Sequence, residues 1–293
     1  MTDHFAKFHP ITCFCYFAVI LGFSMIYLHP VFLLLSGAGG FLYALIQRGK
    51  TALRFTLGGL LPLLVFSVVI NAAFNHKGAT ILTYLPGGNP LTAESIWFGL
   101  CAAAMFVTVI GWCTCLTPAL GTDKLICLFG RLLPSLSLLL SITLGFLPRC
   151  RRQFSAIYTA QKQLLPGTNS RRQKLRLGLQ SLSILLTYVL ETSIDTADSM
   201  HARGFGMRRR TAYSTFRFRP ADIALLTGIL PAAAFLIYSH AVWGDFVTFF
   251  PLFRLRQTPA FLFTAAVYGM LCFLPAAINF LEETKWNRLK SNI

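Results

Sequence analysis

Residues 132–152 read LLPSLSLLLSITLGFLPRCRR, and the fold turns on whether the apolar part, Leu132–Leu147, crosses a membrane. A crossing helix needs about 20 apolar residues, and this stretch is shorter. Pro134 interrupts it, Pro148 ends it, and Ser135, Ser137, Ser141 and Thr143 dilute it. Arg149, Arg151 and Arg152 then open a basic block. From Arg149 to Arg219 there are fourteen basic residues against Glu191, Asp195 and Asp198, so this segment holds +11 of the net +16. A basic block beside apolar spans belongs on the cytoplasmic side. Crossing at Leu132–Leu147 would put it outside. The stretch is therefore expected to be a helix packed under a membrane bundle.

The flanking sequence sets the bundle. Of 293 residues, 55% are hydrophobic and 12% charged, and mean hydropathy is +0.62. That excludes an ordinary soluble globule, which could not hide so much apolar surface, and a disordered chain. Six spans are expected: Ile11–Tyr27, Val31–Ile46, Phe55–Ala73, Ser95–Cys115, Ala221–Trp243 and Pro259–Phe280. The first two share the His29-Pro30 turn. An even count puts both termini in the cytoplasm and leaves only Lys77, Arg254 and Arg256 outside, three basic residues against 23, as the charge rule requires. No cleavable signal peptide is expected, because Ile11–Tyr27 lacks a small-residue cleavage site.

The expected fold class is all-α: a polytopic membrane helix bundle with a cytoplasmic insert of long amphipathic helices. Its organisation is a four-span bundle over 1–115, a coupling region over 116–220, and a two-span hairpin with a cytoplasmic tail over 221–293. Within Arg171–Arg203, Leu175, Leu179, Leu182, Leu186 and Val189 recur at three- and four-residue steps, the period of a buried helix face. Glu191, Asp195 and Asp198 form a second stripe, expected to pair with Arg149, Arg151 or Arg152. Pro166 to Asn169 should break the chain before this helix. Gly204 and Gly206 should stop it.

Chemistry of its own is absent from the sequence. No phosphate loop, H-E-x-x-H, G-x-S-x-G or paired CxxC occurs. The six histidines are scattered. Cys13 with Cys15, and Cys113 with Cys115, are C-x-C pairs whose members diverge on a helix, so no metal site is expected. All eight cysteines read as small apolar residues. Apart from Glu94, the first four spans have no carboxylate at their edges or within them, whereas a proton- or sodium-driven carrier needs ionisable groups at membrane depth. Asp222 and Asp245 read as interfacial. A solitary permease or an insertase with a basic face is the alternative, each lacking the internal polar groups it would need. A nucleic-acid partner is not expected, since the basic block lies between spans without a binding motif; anionic lipid is the better match.

One passage has a specific shape. A long helix ends in Asp198-Ser199-Met200-His201-Ala202-Arg203-Gly204. Small neighbours leave the Arg203 guanidinium free to enter a partner's groove, where its planar fork of donors suits a carboxylate or carbonyls. The plainer alternative is a basic cap on the helix dipole.

With these residues in view, the chain resembles the transmembrane T component of energy-coupling factor (ECF) transporters, the group that includes the CbiQ type. The Ala202-Arg203-Gly204 motif, preceded by Leu190 to Met200, resembles the family's hallmark. Further likeness lies in Asn71 to Gly78 with Thr80, Gly88 to Ile96, Asp123-Lys124, Phe129 to Pro134, Phe146 to Arg149 and Ala160-Gln161-Lys162. These run in order over residues 60–220. The resemblance implies a non-catalytic subunit in a prokaryotic cell membrane. Its implied partners are two cytoplasmic ABC ATPase subunits, which bind the ATP, and a small substrate-binding membrane subunit for vitamin or metal-ion uptake. It implies that two motifs at the ends of two coupling helices dock the ATPases. The second falls on Ala202, Arg203 and Gly204. The first falls near Gln161 and Lys162, where the usual arginine is missing. Arg149, Arg152, Glu191, Asp195, Asp198 and Met200 are the expected supporting residues of the coupling helices.

Overall fold

The computed structural model describes residues 3–84, 90–132, 134–164, 170–205, 216–244, 246–255 and 258–291. They form ten α-helices and two short hairpins: α1 Pro10–Ile26, α2 Pro30–Arg48, α3 Lys50–Phe55, α4 Leu61–Phe74, β1 Ile81–Tyr84, β2 Pro90–Thr92, α5 Ala93–Ala119, α6 Thr122–Leu132, α7 Pro134–Leu164, α8 Arg171–Ala202, α9 Pro220–Trp243, β3 Val247–Thr248, β4 Arg254–Leu255 and α10 Pro259–Ser291. A π segment, Thr56–Leu60, joins α3 to α4. The breaker expected at Pro166 to Asn169, together with Gly206 and Asp245, lies outside the described residues.

The chain divides into two compact units, Met1–Lys124 with Phe216–Ile293, and Leu125–Thr215. In the first, α2 is central and packs on α1, α5 and α10. Its Ser36 to Gly40 stretch permits this. A Cβ on Gly39 would lie 2.7 Å from the Cys272 carbonyl oxygen of α10, and one on Gly40 would lie 3.2 Å from the Trp112 ring of α5. Such small residues let helices approach where lipid supplies no hydrophobic drive. Around them sits an aromatic core that includes Phe5, Tyr16, Phe17, Tyr27, Phe32, Tyr43, Trp112, Phe261 and Tyr268. Its polar tips are largely paired, as burial demands: Trp112 Nε1 donates to Ser36 Oγ at 3.0 Å, Tyr16 Oη to the Leu271 carbonyl at 3.0 Å and Tyr27 Oη to the Leu236 carbonyl at 2.8 Å.

Among the described residues six helices are long and apolar enough to cross a membrane: α2, Lys50–Phe74, α5, α8, α9 and α10. Five are expected spans, extended at one or both ends, α10 well past Phe280 to Lys290. The set differs from expectation in two members. Helix α1, at 17 residues, is shorter than the other candidates. Helix α8 qualifies because its basic residues crowd its first turns and leave a long apolar middle. The expected breaks around Leu132–Leu147 are also corrected. Pro134 opens α7, and the helix runs on through Pro148 to Leu164. A first-turn proline needs no N–H partner, and Pro148 removes one interior bond without ending the helix.

Two sequence motifs meet at the end of α4. Glu94, 2% exposed, accepts from the Thr80 hydroxyl and from the Thr80 N–H at 3.2 Å. Thr92 Oγ1 donates to the Lys77 carbonyl at 2.8 Å, and the Ser95 hydroxyl donates to the Asn75 carbonyl. Gly78 has φ +142°, and a Cβ there would lie 2.6 Å from a Glu94 carboxylate oxygen. The lone carboxylate of the first four spans thus organises a loop. Asp222, expected to be interfacial, is 1% exposed. It caps α9 and accepts the His9 N–H at 2.7 Å, tying the start of α1 to α9. Near the other terminus, Asp3 accepts from Tyr43 Oη and Gln47 Nε2, each at 2.8 Å, and from Asn279 Nδ2 at 3.1 Å.

His29 caps α2 through Nδ1, which accepts the Val31 N–H at 3.2 Å. It is 2% exposed, and its Nε2 is buried without a partner. Burial pushes its pKa down from 6.5 to about 4. Between those values the unfolded chain takes up a proton that the native site refuses. The histidine's contribution is therefore full above pH 6.5 and lost as pH falls towards 4. The apparent Tm of the detergent-solubilised protein should drop across this window, and His29→Asn, which keeps a capping oxygen, should flatten the drop. An unchanged slope in the variant would reject this role.

Candidate docking site

The second unit is built around α7 packed on α8. On α7 the less exposed residues Phe146, Cys150, Phe154, Ile157 and Gln161 recur at helical steps. On α8 they are Leu177, Ser181, Leu185, Val189 and Thr192, with Leu177 and Ser181 fully buried. The leucine stripe expected to be buried is mostly not on this face. Leu175, Leu179, Leu182 and Leu186 are 67%, 59%, 44% and 55% exposed. Helix α8 therefore carries two apolar stripes. At 100° per residue the outer one is turned well over 90° from the packed one, so a single helical period could not tell which meets α7.

The C-terminal end of α8 is a Schellman motif. The Phe205 N–H donates to the Met200 carbonyl and the Gly204 N–H to the His201 carbonyl, each at 3.0 Å. Gly204 adopts φ +80°, a left-handed conformation that a glycine takes without Cβ strain. Arg203 is the C-cap, at φ −83° and ψ 8°. It and Ala202 are exposed. The chain turns away immediately after the guanidinium residue, which leaves Arg203 on the end of the helix.

Beside this end lies an open groove of about 370 Å³ between α7 and α8. Phe146, Arg149 and Cys150 line it from α7, and Tyr188, Thr192, Asp195, Thr196, Ser199, Met200 and Arg203 from the α8 side. Of the expected residues, Arg149, Asp195, Met200 and Arg203 share it. Arg152, Glu191 and Asp198 do not line it. Gln161 is half-buried and Lys162 exposed in the last turn of α7, thirteen residues beyond Arg149, or about 20 Å along the helix.

The acidic stripe does not close on the arginines as expected. Among the described residues no ion pair within 4 Å joins Glu191, Asp195 or Asp198 to Arg149, Arg151 or Arg152; the pair recorded is Lys285–Glu282 at 3.5 Å. The hydroxyl groups of the groove turn back onto their own helix, Thr192 Oγ1 donating to the Tyr188 carbonyl at 2.8 Å and Thr196 Oγ1 to the Thr192 carbonyl at 2.6 Å. The groove thus presents two guanidinium groups, one carboxylate and an apolar floor. That suits an acidic or carbonyl-rich protein segment. Tyr188, Thr192, Thr196 and Ser199 were not singled out from sequence, although their three- and four-residue steps towards Arg203 carry the signal. Among the described residues no group of three His, Cys, Asp or Glu could hold a metal ion.

No family model matches the chain. It is 29% identical over 211 residues to an energy-coupling factor transporter transmembrane protein of Listeria innocua, covering 66% of this chain and 78% of that one. It is 24% identical over 226 residues to a protein of the same name from Exiguobacterium sibiricum, covering 71% and 82%. These relatives bear out the resemblance read from the motifs, and together with the apolar helices they make the chain a multi-pass membrane protein.

Gly204→Ala should place a Cβ in the left-handed region at a cost of roughly 1–2 kcal/mol. Hydrogen exchange at the Gly204 and Phe205 amides should then accelerate about tenfold, the factor that 1.4 kcal/mol of local opening supplies. Unchanged exchange would show that this cap does not hold the end of α8.

Proposed function

We propose, from the likeness of this chain to energy-coupling factor transporter transmembrane proteins, that it is the energy-coupling transmembrane subunit of an ECF-type ABC importer. It docks two cytoplasmic ATPase subunits and passes their motion to a small substrate-binding membrane subunit for vitamin or metal-ion uptake. The ATPases bind and hydrolyse ATP; this chain holds no cofactor and catalyses nothing. It lies in a prokaryotic cell membrane with both termini cytoplasmic.

The observation that carries this reading is the capped, exposed Ala202-Arg203-Gly204 end of α8. A second helix end, at Gln161-Lys162, lies about 20 Å from the groove along α7. Two separated contacts suit two ATPase copies. Lys162 supplies a point charge where Arg203 supplies a fork, so the two contacts differ in strength. Arg149, Asp195 and Met200 support the Arg203 end by lining the groove beside it, while Arg152, Glu191 and Asp198 lie outside that groove on the same two helices. Rigid helices of 31 and 32 residues serve as levers. The outer stripe of Leu175, Leu179, Leu182 and Leu186 offers an apolar face to the substrate-binding subunit.

A docked guanidinium is largely desolvated, and truncating one partner of such a pair costs roughly 2–5 kcal/mol. Arg203→Glu should abolish ATPase co-purification or uncouple hydrolysis from uptake; full transport by the variant would reject the docking role. A cysteine placed by Ser170→Cys, at the N-cap of α8, should react with impermeant maleimide only in inverted vesicles. Labelling in intact cells would overturn the topology.

A further inference from the structure

A second cavity lies in the larger unit. It measures about 460 Å³ and lies where α4 ends against α5, within the size range of sites that take one small ligand. Its walls are Ile70, Phe74, Phe98 and Phe250, and its polar end is Asn71, Asn75 and Lys77.

Two observations identify the occupant. The cavity opens onto an exposed apolar surface of a helix long and apolar enough to cross a membrane. Helix α4 has no buried residue, its Val65, Phe66 and Val69 are exposed beside Ile70 and Phe74, and Phe74 itself is 80% exposed. Ile70 and Phe74 belong to both the cavity and this face, so an acyl chain can enter sideways. The second observation is charge. Lys77 follows the last residue of the span by three positions, at the depth where headgroups lie, and it closes no ion pair within 4 Å among the described residues. Glu94, the acidic residue of this region, is turned to Thr80. An ammonium and two side-chain amides above apolar walls match a phosphodiester above an acyl chain.

We propose that this cavity holds a phospholipid of net negative headgroup. Its phosphodiester oxygens meet Lys77 and the amides of Asn71 and Asn75, and one acyl chain runs along Ile70, Phe74, Phe98 and Phe250. The proposal needs the membrane-spanning reading and no ATPase, so its failure and that of the coupling reading are distinguishable.

The test uses the full chain in lipid nanodiscs. Brominated phosphatidylglycerol should quench tryptophan emission more than brominated phosphatidylcholine does, because Trp97, 46% exposed, sits on α5 one residue before Phe98. In native mass spectra, wild type should retain one phosphatidylglycerol. Lys77→Glu should weaken retention about tenfold, given the worth of an interfacial lysine, and remove the quenching difference; Lys77→Arg should keep both. Wild-type retention by Lys77→Glu, or equal quenching by the two lipids in wild type, overturns the proposal. An unchanged Tm for Lys77→Glu shows that any loss is not misfolding.

Discussion

The larger unit depends on how closely α10 and α5 approach α2. Gly39 meets the backbone of α10 at a distance that leaves no room for a side chain, and Gly40 meets the indole of α5 with a few tenths of an ångström to find. In a bilayer, lipid tails are as apolar as leucine, so helices associate through packing and through polar groups satisfied internally. The aromatic residues around α2 supply that packing. The Tyr16 and Tyr27 hydroxyls find carbonyls, Tyr43 finds Asp3 and the Trp112 indole finds Ser36, so the interior holds polar groups in pairs.

Buried carboxylates perform related work at the ends of the spans. Asp3, half-buried, and Glu94 and Asp222, fully buried, each accept more than one hydrogen bond and tie loops or helix starts to the bundle.

In the smaller unit one helix carries two distinct faces. The packed face of α8 is built from Leu177, Ser181, Leu185, Val189 and Thr192, and the outer face from four exposed leucines. Helix–helix packing inside the chain uses one stripe and leaves the other for a neighbour. The Schellman turn then ends the helix at Arg203 and keeps the guanidinium at its tip. In the proposed role, the docking end, the lever and the outer apolar face share a single element, α8.

Much of this was legible in the residues. Five spans follow from apolar length, and the glycine stop after Arg203 follows from a glycine's tolerance of positive φ. The +11 block and the Ala202-Arg203-Gly204 tip are local features of the chain. Tertiary structure alone decided the rest. Which stripe of α8 meets α7 depends on the shape of the partner, because both stripes repeat with the same period. Pro148 stays inside α7 because one missing bond is tolerated in a helix that long. Asp195 shares a groove with Arg149 and Arg203 without closing an ion pair, since groove geometry, not the order of charges, sets their separation. Spacing along one helix encodes direction and period; which residues come together is set by how a second helix lies against it.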